Sequence, residues 1–208
     1  MHKTHQVLVV EDNDTMRLLL VATLAADGYV VTEATDGISA LVAAENNPPD
    51  LAVLDLHLPD MSGLEIASLF HQRIPFLVLT MDAGADTVQQ CIDLGALGYL
   101  LKPPDPEGFL RQVHIALKRG QESLNLRRAL QDTQLIAKAW GLLMAYHGLA
   151  EDAAYKKLLA GSMARKRRTV ELAREIIGAF DTVVRCKARA GKPTKALEAA
   201  RAILAQFE

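Results

Sequence analysis

Short apolar runs and amphipathic stretches alternate along the first half of the chain. HQVLVVED, YVVTEA, DLAVLDL, PFLVLT and GYLLKP are rich in β-branched and large apolar residues. Such continuous runs suit strands buried on both faces of a parallel sheet. Between them, DTMRLLLVATLAADG, DGISALVAAENN, SGLEIASLFHQR and DTVQQCIDLGA place apolar residues at helical spacing, and DPEGFLRQVHIALKR follows the last run. Five βα units in succession predict a doubly wound α/β fold around a parallel five-stranded sheet.

The second half is helical throughout. HIALKRGQESLNLRRALQDTQLIAKAWGLLMAYHG contains no proline. Leu126, Leu130, Thr133, Ala137, Trp140 and Met144 alternate spacings of four and three, a heptad seam that suits a homodimer or packing on the chain's own later helices. Gly148 predicts a left-handed stop. Tyr155, Leu158, Leu159 and Ser162 mark the inner face of a second helix. Thr169 is placed as the cap of a third, with Val170, Ala173, Ile177, Phe180 and Val184 on one stripe. Gly191 and Pro193 end it, and a last helix sets Leu197, Ala200, Leu204 and Phe207 on one face. No strand pattern follows residue 118, which argues against a winged-helix output with its β hairpin.

Charge divides the chain in the same place. Residues 1–117 carry 5 Lys and Arg against 16 Asp and Glu, a net charge of −11; residues 118–208 carry 18 against 9, a net of +9. An acidic half joined to a basic half predicts two domains with different partners, the basic one suited to a polyanion. The run ARKRR, residues 164–168, concentrates that charge. The N-terminus lacks a signal-peptide pattern, and MRLLLVATLAA is too short to span a bilayer. Cys91 and Cys186 lack metal-ligand spacing and read as apolar residues of a reducing cytosol. A cytoplasmic location without membrane partners follows as the expectation.

In a doubly wound sheet the functional crevice lies at the carboxyl ends of the strands. Here those ends carry Glu11 and Asp12, Asp55, Thr80 and Lys102. Three carboxylates at one mouth repel each other and call for a cation; oxygen-only ligands suit Mg²⁺. Metal, hydroxyl and ammonium around one Asp make a site for phosphoryl transfer to that Asp. No GxxxxGK[ST] run is present, so a P-loop is excluded, and His57 stands where a haloacid-dehalogenase-type phosphatase needs a second acid.

VVEDN, LAVLDLHLPDMSG, LVLT and GALGYLLKP resemble the receiver domain of bacterial two-component response regulators, a flavodoxin-like fold. The resemblance implies Asp55 as phosphoacceptor and Asp12, Asp55 and the His57 backbone carbonyl as Mg²⁺ ligands, with Glu11 in the outer acid pair. It implies Thr80 and Lys102 as phosphoryl-binding residues and Thr80 and Tyr99 as the switch. It also implies a cis Lys102–Pro103 peptide, and a histidine kinase or small-molecule phosphodonor as partner. Met81 departs from the small residue usual after the Thr and narrows the phosphodonor's route. The enzyme class implied is none: the protein accepts phosphate and regulates.

LIAKAWGLLMAYHGLAEDAAYKKLLAGSMARKRRTVELAREII resembles an ANTAR domain, the three-helix RNA-binding output of transcription antiterminators. An RNA stem-loop is then the implied partner, with Lys156, Lys157, Arg165, Lys166, Arg167 and Arg168 as candidate phosphate contacts. Trp140, Ser162 and Lys166 stand where that family commonly has Lys, Ala and Asn. A helix-turn-helix DNA reader and a protein-interaction output are the rival readings. The expected organisation is a receiver at 1–119, a helical linker at 120–134, the ANTAR-like bundle at 135–177 and a helical extension of unassigned role at 178–208.

Overall fold

A computed structural model describes residues 4–82, 84–188 and 195–207. Five strands, β1 (Gln6–Val10), β2 (Val30–Ala34), β3 (Leu51–Leu54), β4 (Phe76–Thr80) and β5 (Tyr99–Leu101), form one sheet in the order β2-β1-β3-β4-β5. Every pairing is parallel. Helices α1 (Asp14–Ala26), α2 (Gly37–Asn46), α3 (Gly63–Phe70) and α4 (Ala85–Asp93) alternate with the strands, and α5 (Pro106–His147) follows β5. The doubly wound α/β class expected from the sequence is the observed one.

Strand side chains alternate between two apolar layers, as the pleat dictates. Leu8, Val10, Ala52, Leu54 and Val78 pack with Ile66, Ala67 and Phe70 of α3 on one face. Val7, Val9, Val53, Leu77 and Leu79 pack with Leu20 and Leu24 of α1 and Phe109 and Val113 of α5 on the other. Burial on both faces holds for the central strands β1, β3 and β4. β2 and β5, at the sheet edges, are partly exposed, which corrects the uniform burial expected. Gly120 of α5 lies against Pro75, with no room for a Cβ between them.

The chain separates into two compact units, Met1–Asn125 and Leu126–Glu208. Residues 120–134, expected as a linker, lie within α5 and form no separate element. The second unit contains the end of α5 with α6 (Glu151–Ala164), α7 (Thr169–Ala188) and α8 (Lys195–Ala205). α5 ends at Gly148, whose φ is +66°, and the Leu149 N–H returns to the Met144 carbonyl as a Schellman turn requires.

The core of this unit joins Ala139 and Leu143 of α5, Ala154 and Leu158 of α6, Leu172, Ala173, Ile176, Ala179 and Val183 of α7, and Leu197, Ala200 and Leu204 of α8 with Phe207. Three expectations shift by a residue or two. Ala154, not the exposed Tyr155, opens the inner face of α6. The stripe on α7 runs through Ile176, Ala179 and Val183, leaving Val184 exposed. Thr169 is the first helical residue of α7, and the Arg168 carbonyl accepts the first backbone bonds. The expected stop at Gly191 and Pro193 lies outside the described residues. The four residues chosen on α8 and just beyond it are all buried. Residues past 177 therefore complete a core rather than trail from it.

Candidate functional site

β1, β3, β4 and β5 end side by side, so the residues just past them share one rim. Asp55 follows β3, and its N–H donates to the Val10 carbonyl of β1 at 3.0 Å. Asp55 and Glu11 are nearly fully buried. Glu11, Asp12 and Asp55 each bring a carboxylate oxygen within 4.8 Å of the others. Lys102 reaches in from the end of β5, its Nζ 2.6 Å from Glu11 Oε2 and 2.7 Å from Asp55 Oδ2. Burial pushes the Glu11 carboxyl up, and Lys102 opposes that rise.

A cavity of about 700 Å³ opens over this cluster, lined among others by Asp12, Asp55, His57, Met81 and Lys102. Met81 stands 79% exposed on its rim. The donor set is all oxygen, one exposed carboxylate beside two buried ones, which fits a small hard divalent cation. The Asp55 loop is held tightly. Its Oδ1 accepts the His57 N–H at 3.2 Å, and a Cβ on Gly63 would collide with the Asp55 carbonyl. That leaves glycine as the residue that fits there. Lys102–Pro103 is cis, as expected.

Thr80 is fully buried beside Asp55's strand and does not line the cavity; its Oγ1 accepts the Asp82 N–H at 3.3 Å. Tyr99 is half-buried, its hydroxyl donating to the Asp82 carbonyl. Burial raises the Tyr99 pKa. The Asp82 carboxylate accepts from Gly84 N–H and Thr87 Oγ1, both at 2.7 Å, so it braces the loop against the start of α4. Thr87 holds the Asp82 carboxyl below the usual range. Thr80, Asp82 and Tyr99 are thus tied through one loop.

Two groups outside the expected set belong to this end of the sheet. Asp60 accepts from the N–H groups of Gly37 and Ile38 at 2.8 and 2.9 Å, joining Asp36 at the start of α2. Arg17 turns back from α1 onto the β1–α1 loop. Its signal in the sequence was faint: a cation three residues past Asp14, in a half with few cations.

The basic run forms the turn between α6 and α7. Arg165 caps α6, and Lys166 adopts a φ of +52°. The Arg167 N–H bonds the Ser162 carbonyl, and the Ser162 hydroxyl donates to the Arg167 carbonyl at 2.6 Å. Three of the cations have carboxylate neighbours. Arg165 and Arg167 pair with Glu175 at 3.5 and 2.9 Å, and Arg168 with Asp132 at 3.2 Å. Lys156 is exposed and Lys157 half-buried on α6.

The response regulator receiver domain model matches residues 7–114, and the ANTAR domain model matches residues 124–177. The chain belongs to the response regulators. This regulator is 33% identical over 186 residues to the transcriptional regulatory protein PdtaR of Mycobacterium tuberculosis, covering 83% of this chain and 91% of that protein. Among solved structures, a CheY-like receiver domain protein from Methanospirillum hungatei matches with a TM-score of 0.55 and 26% identity. It covers 58% of this chain and 98% of its own. A putative response regulator from Chloroflexus aurantiacus matches at 0.53 and 30%, over 56% of this chain and 99% of that one. The response regulator thus joins a receiver to an ANTAR output. Among its described residues no helix is long and apolar enough to cross a membrane.

Proposed function

We propose that this response regulator is a cytoplasmic, phosphorylation-controlled transcription antiterminator that binds RNA hairpins. The observation that carries the reading is Asp55: a nearly buried carboxylate, 2.7 Å from Lys102 Nζ, facing a cavity that two further carboxylates share.

Asp12, Asp55 and the His57 backbone carbonyl would hold Mg²⁺, with Glu11 behind them; the ion would offset charge on the incoming phosphoryl group. An Asp55 carboxylate oxygen attacks phosphorus, an oxygen–phosphorus bond forms, and the bond to the donor, a phosphohistidine nitrogen or an acyl phosphate oxygen, breaks. Lys102 supplies positive charge to the new phosphoryl oxygens, and the Thr80 hydroxyl donates to one of them. Drawing Thr80 toward the phosphoryl group disturbs its bond from the Asp82 N–H, and Asp82 carries Tyr99. A two-state loop is thereby biased by a local charge.

The receiver is taken as residues 1–119, the linker as 120–134 and the RNA-binding bundle as 135–177, with 178–208 closing its core. The heptad seam supports a homodimer, since Leu126 and Leu130 are 64% and 56% exposed. Arg165 to Arg168, with Lys156 and Lys157, would meet phosphates of the RNA. The competing reading is a protein-interaction output, favoured by the carboxylates already paired with three of these cations. Mobility shift with an RNA hairpin and a DNA duplex, using phosphorylated and unphosphorylated protein, tests the choice. RNA binding enhanced by phosphorylation is expected; duplex preference, or no nucleic-acid binding, defeats the proposal.

A further inference from the structure

Arg17 is one of five cations in residues 1–117, and it is spent inward: its side chain is 13% exposed. Nη1 donates to the carbonyls of Glu11 and Asp12 at 3.1 and 3.4 Å. Nη2 lies 2.5 Å from Asp14 Oδ1, and Nε donates to Glu33 Oε2 at 3.3 Å. One planar guanidinium therefore ties the β1–α1 loop to the first turn of α1 and to edge strand β2. A fork with fixed donors can do this; a single ammonium on a flexible stem cannot match its geometry.

The two carbonyls it holds belong to the residues whose carboxylates enter the cavity. Fixing a peptide's carbonyl fixes the direction in which the adjoining side chain leaves the backbone. For Glu11 there is a second restraint, since Lys102 holds its carboxylate. For Asp12 there is none: among the described residues its carboxylate accepts no hydrogen bond, and it is exposed. Its aim depends on the backbone that Arg17 secures.

We infer that Arg17 is a positioning residue of the metal-binding loop: its grip on the Glu11 and Asp12 carbonyls holds the Asp12 carboxylate ready for a divalent cation. This rests on the reading of the cavity as a Mg²⁺ site. Charge alone would act in the other direction, because a guanidinium repels Mg²⁺. Asp14 and Glu33 offset that charge with two carboxylates, so removing Arg17 changes the local field less than it frees the loop. Groups that orient metal ligands from behind typically change metal affinity by about 10- to 100-fold when removed.

The test is calorimetric titration of MgCl₂ into the full chain at constant ionic strength. Wild type, Asp12→Asn, Arg17→Met, Arg17→Lys and Glu33→Gln are compared, with melting temperatures taken without Mg²⁺. Arg17→Met is expected to weaken Mg²⁺ binding about tenfold or more. Its acetyl phosphate reaction should return to the wild-type rate at saturating Mg²⁺. Arg17→Lys should fall between the two, and Glu33→Gln should weaken binding by a smaller factor. A merely structural residue would lower the melting temperature and leave the Mg²⁺ affinity of the folded protein alone. That result, or tighter binding, overturns the inference. Should Arg17→Met not fold, wild-type affinity in both Arg17→Lys and Glu33→Gln overturns it equally. If wild type binds no Mg²⁺, or Asp12→Asn binds it as well as wild type, the cavity reading has failed and the role of Arg17 falls with it.

Discussion

The Lys102 ammonium lies 2.7 Å from Asp55 Oδ2, and both side chains are more than nine-tenths buried. Lys102 also bonds Glu11, so its loss leaves two buried carboxylates without their counter-charge. Lys102→Met is expected to destabilise the receiver by about 3–5 kcal/mol near pH 8, since breaking a buried pair strands its partner. Glu11 fixes the pH dependence. Its folded pKa is raised, so its protonation favours the folded state, fully below its unfolded value and less as pH rises through the folded one. The gap between Lys102→Met and wild type should therefore shrink as pH falls toward the ordinary Glu range. Urea melts at several pH values check this; a gap that widens in acid contradicts the assignment.

At the start of α2 the sign is reversed. Asp36 and Asp60 both accept backbone N–H groups there, and these bonds lower both pKa values. A carboxylate with a depressed folded pKa contributes stability above its unfolded value that is lost as pH falls through the folded one. Asp36→Ala and Asp60→Ala are expected to melt below wild type at neutral pH and to converge with it in acid. Thermal melts from pH 7 to pH 3 read the convergence.

Gly63 sets a steric limit on the phosphorylation loop. A methyl group there meets the Asp55 carbonyl and Leu56 Cα, which are backbone atoms that cannot rotate away. Gly63→Ala should cost about 3 kcal/mol, at the upper end of overpacking effects. It should also slow acetyl phosphate labelling by displacing Asp55. Denaturant titration and phosphate incorporation measure the two effects separately.

Lys166 occupies a left-handed position at the end of α6, with φ +52°. A Cβ is unfavourable there, and glycine or asparagine is the usual occupant. Lys166→Gly is expected to raise the stability of the output unit by about 0.5–1 kcal/mol. The comparison with Lys166→Ala, which keeps the Cβ and loses the charge, isolates the backbone effect in melting experiments.

For RNA, each phosphate contact on a single strand adds about 0.7 to the slope of log affinity against log salt. Replacing Lys166 and Arg168 with Ala should flatten that slope by roughly 1.4 and leave the ranking of RNA sequences unchanged. Asp132 competes for Arg168 and lies 3.8 Å from Arg174. Asp132→Asn should therefore raise affinity a few-fold at low salt, about the worth of an exposed pair. A mobility-shift series across salt concentrations tests both, and an unchanged slope would return these side chains to the solvated surface.

The sheet was legible because its central strands β1, β3 and β4 are near-continuous apolar runs, and burial on two faces leaves few other uses for one. The rim followed, since strand ends are the one place where Glu11, Asp55, Thr80 and Lys102 come together from distant positions. Tertiary choices were not legible. Val184 and Ile177 are as apolar as Val183 and Ile176, and a rotation of α7 by one position decides which are buried. Arg17 was hidden because three of its four acceptors, the Glu11 and Asp12 carbonyls and the Glu33 carboxylate on β2, are ones that a helical pattern does not display. The turn at Lys166 was hidden because a lysine at a left-handed position runs against local preference.

The sequence likeness to an ANTAR domain ends at residue 177, but the packing does not. α7 continues to Ala188, and Leu197, Ala200, Leu204 and Phe207 supply the closing wall of the same core. His147, at the far end of α5, donates from Nε2 to the Leu204 carbonyl. The recognisable motif and the cooperative body are therefore of different lengths. Amide protons of Leu158 and Ile176 should exchange only when the terminal helix opens with them, and a fragment cut at the motif's edge would present its interior to water.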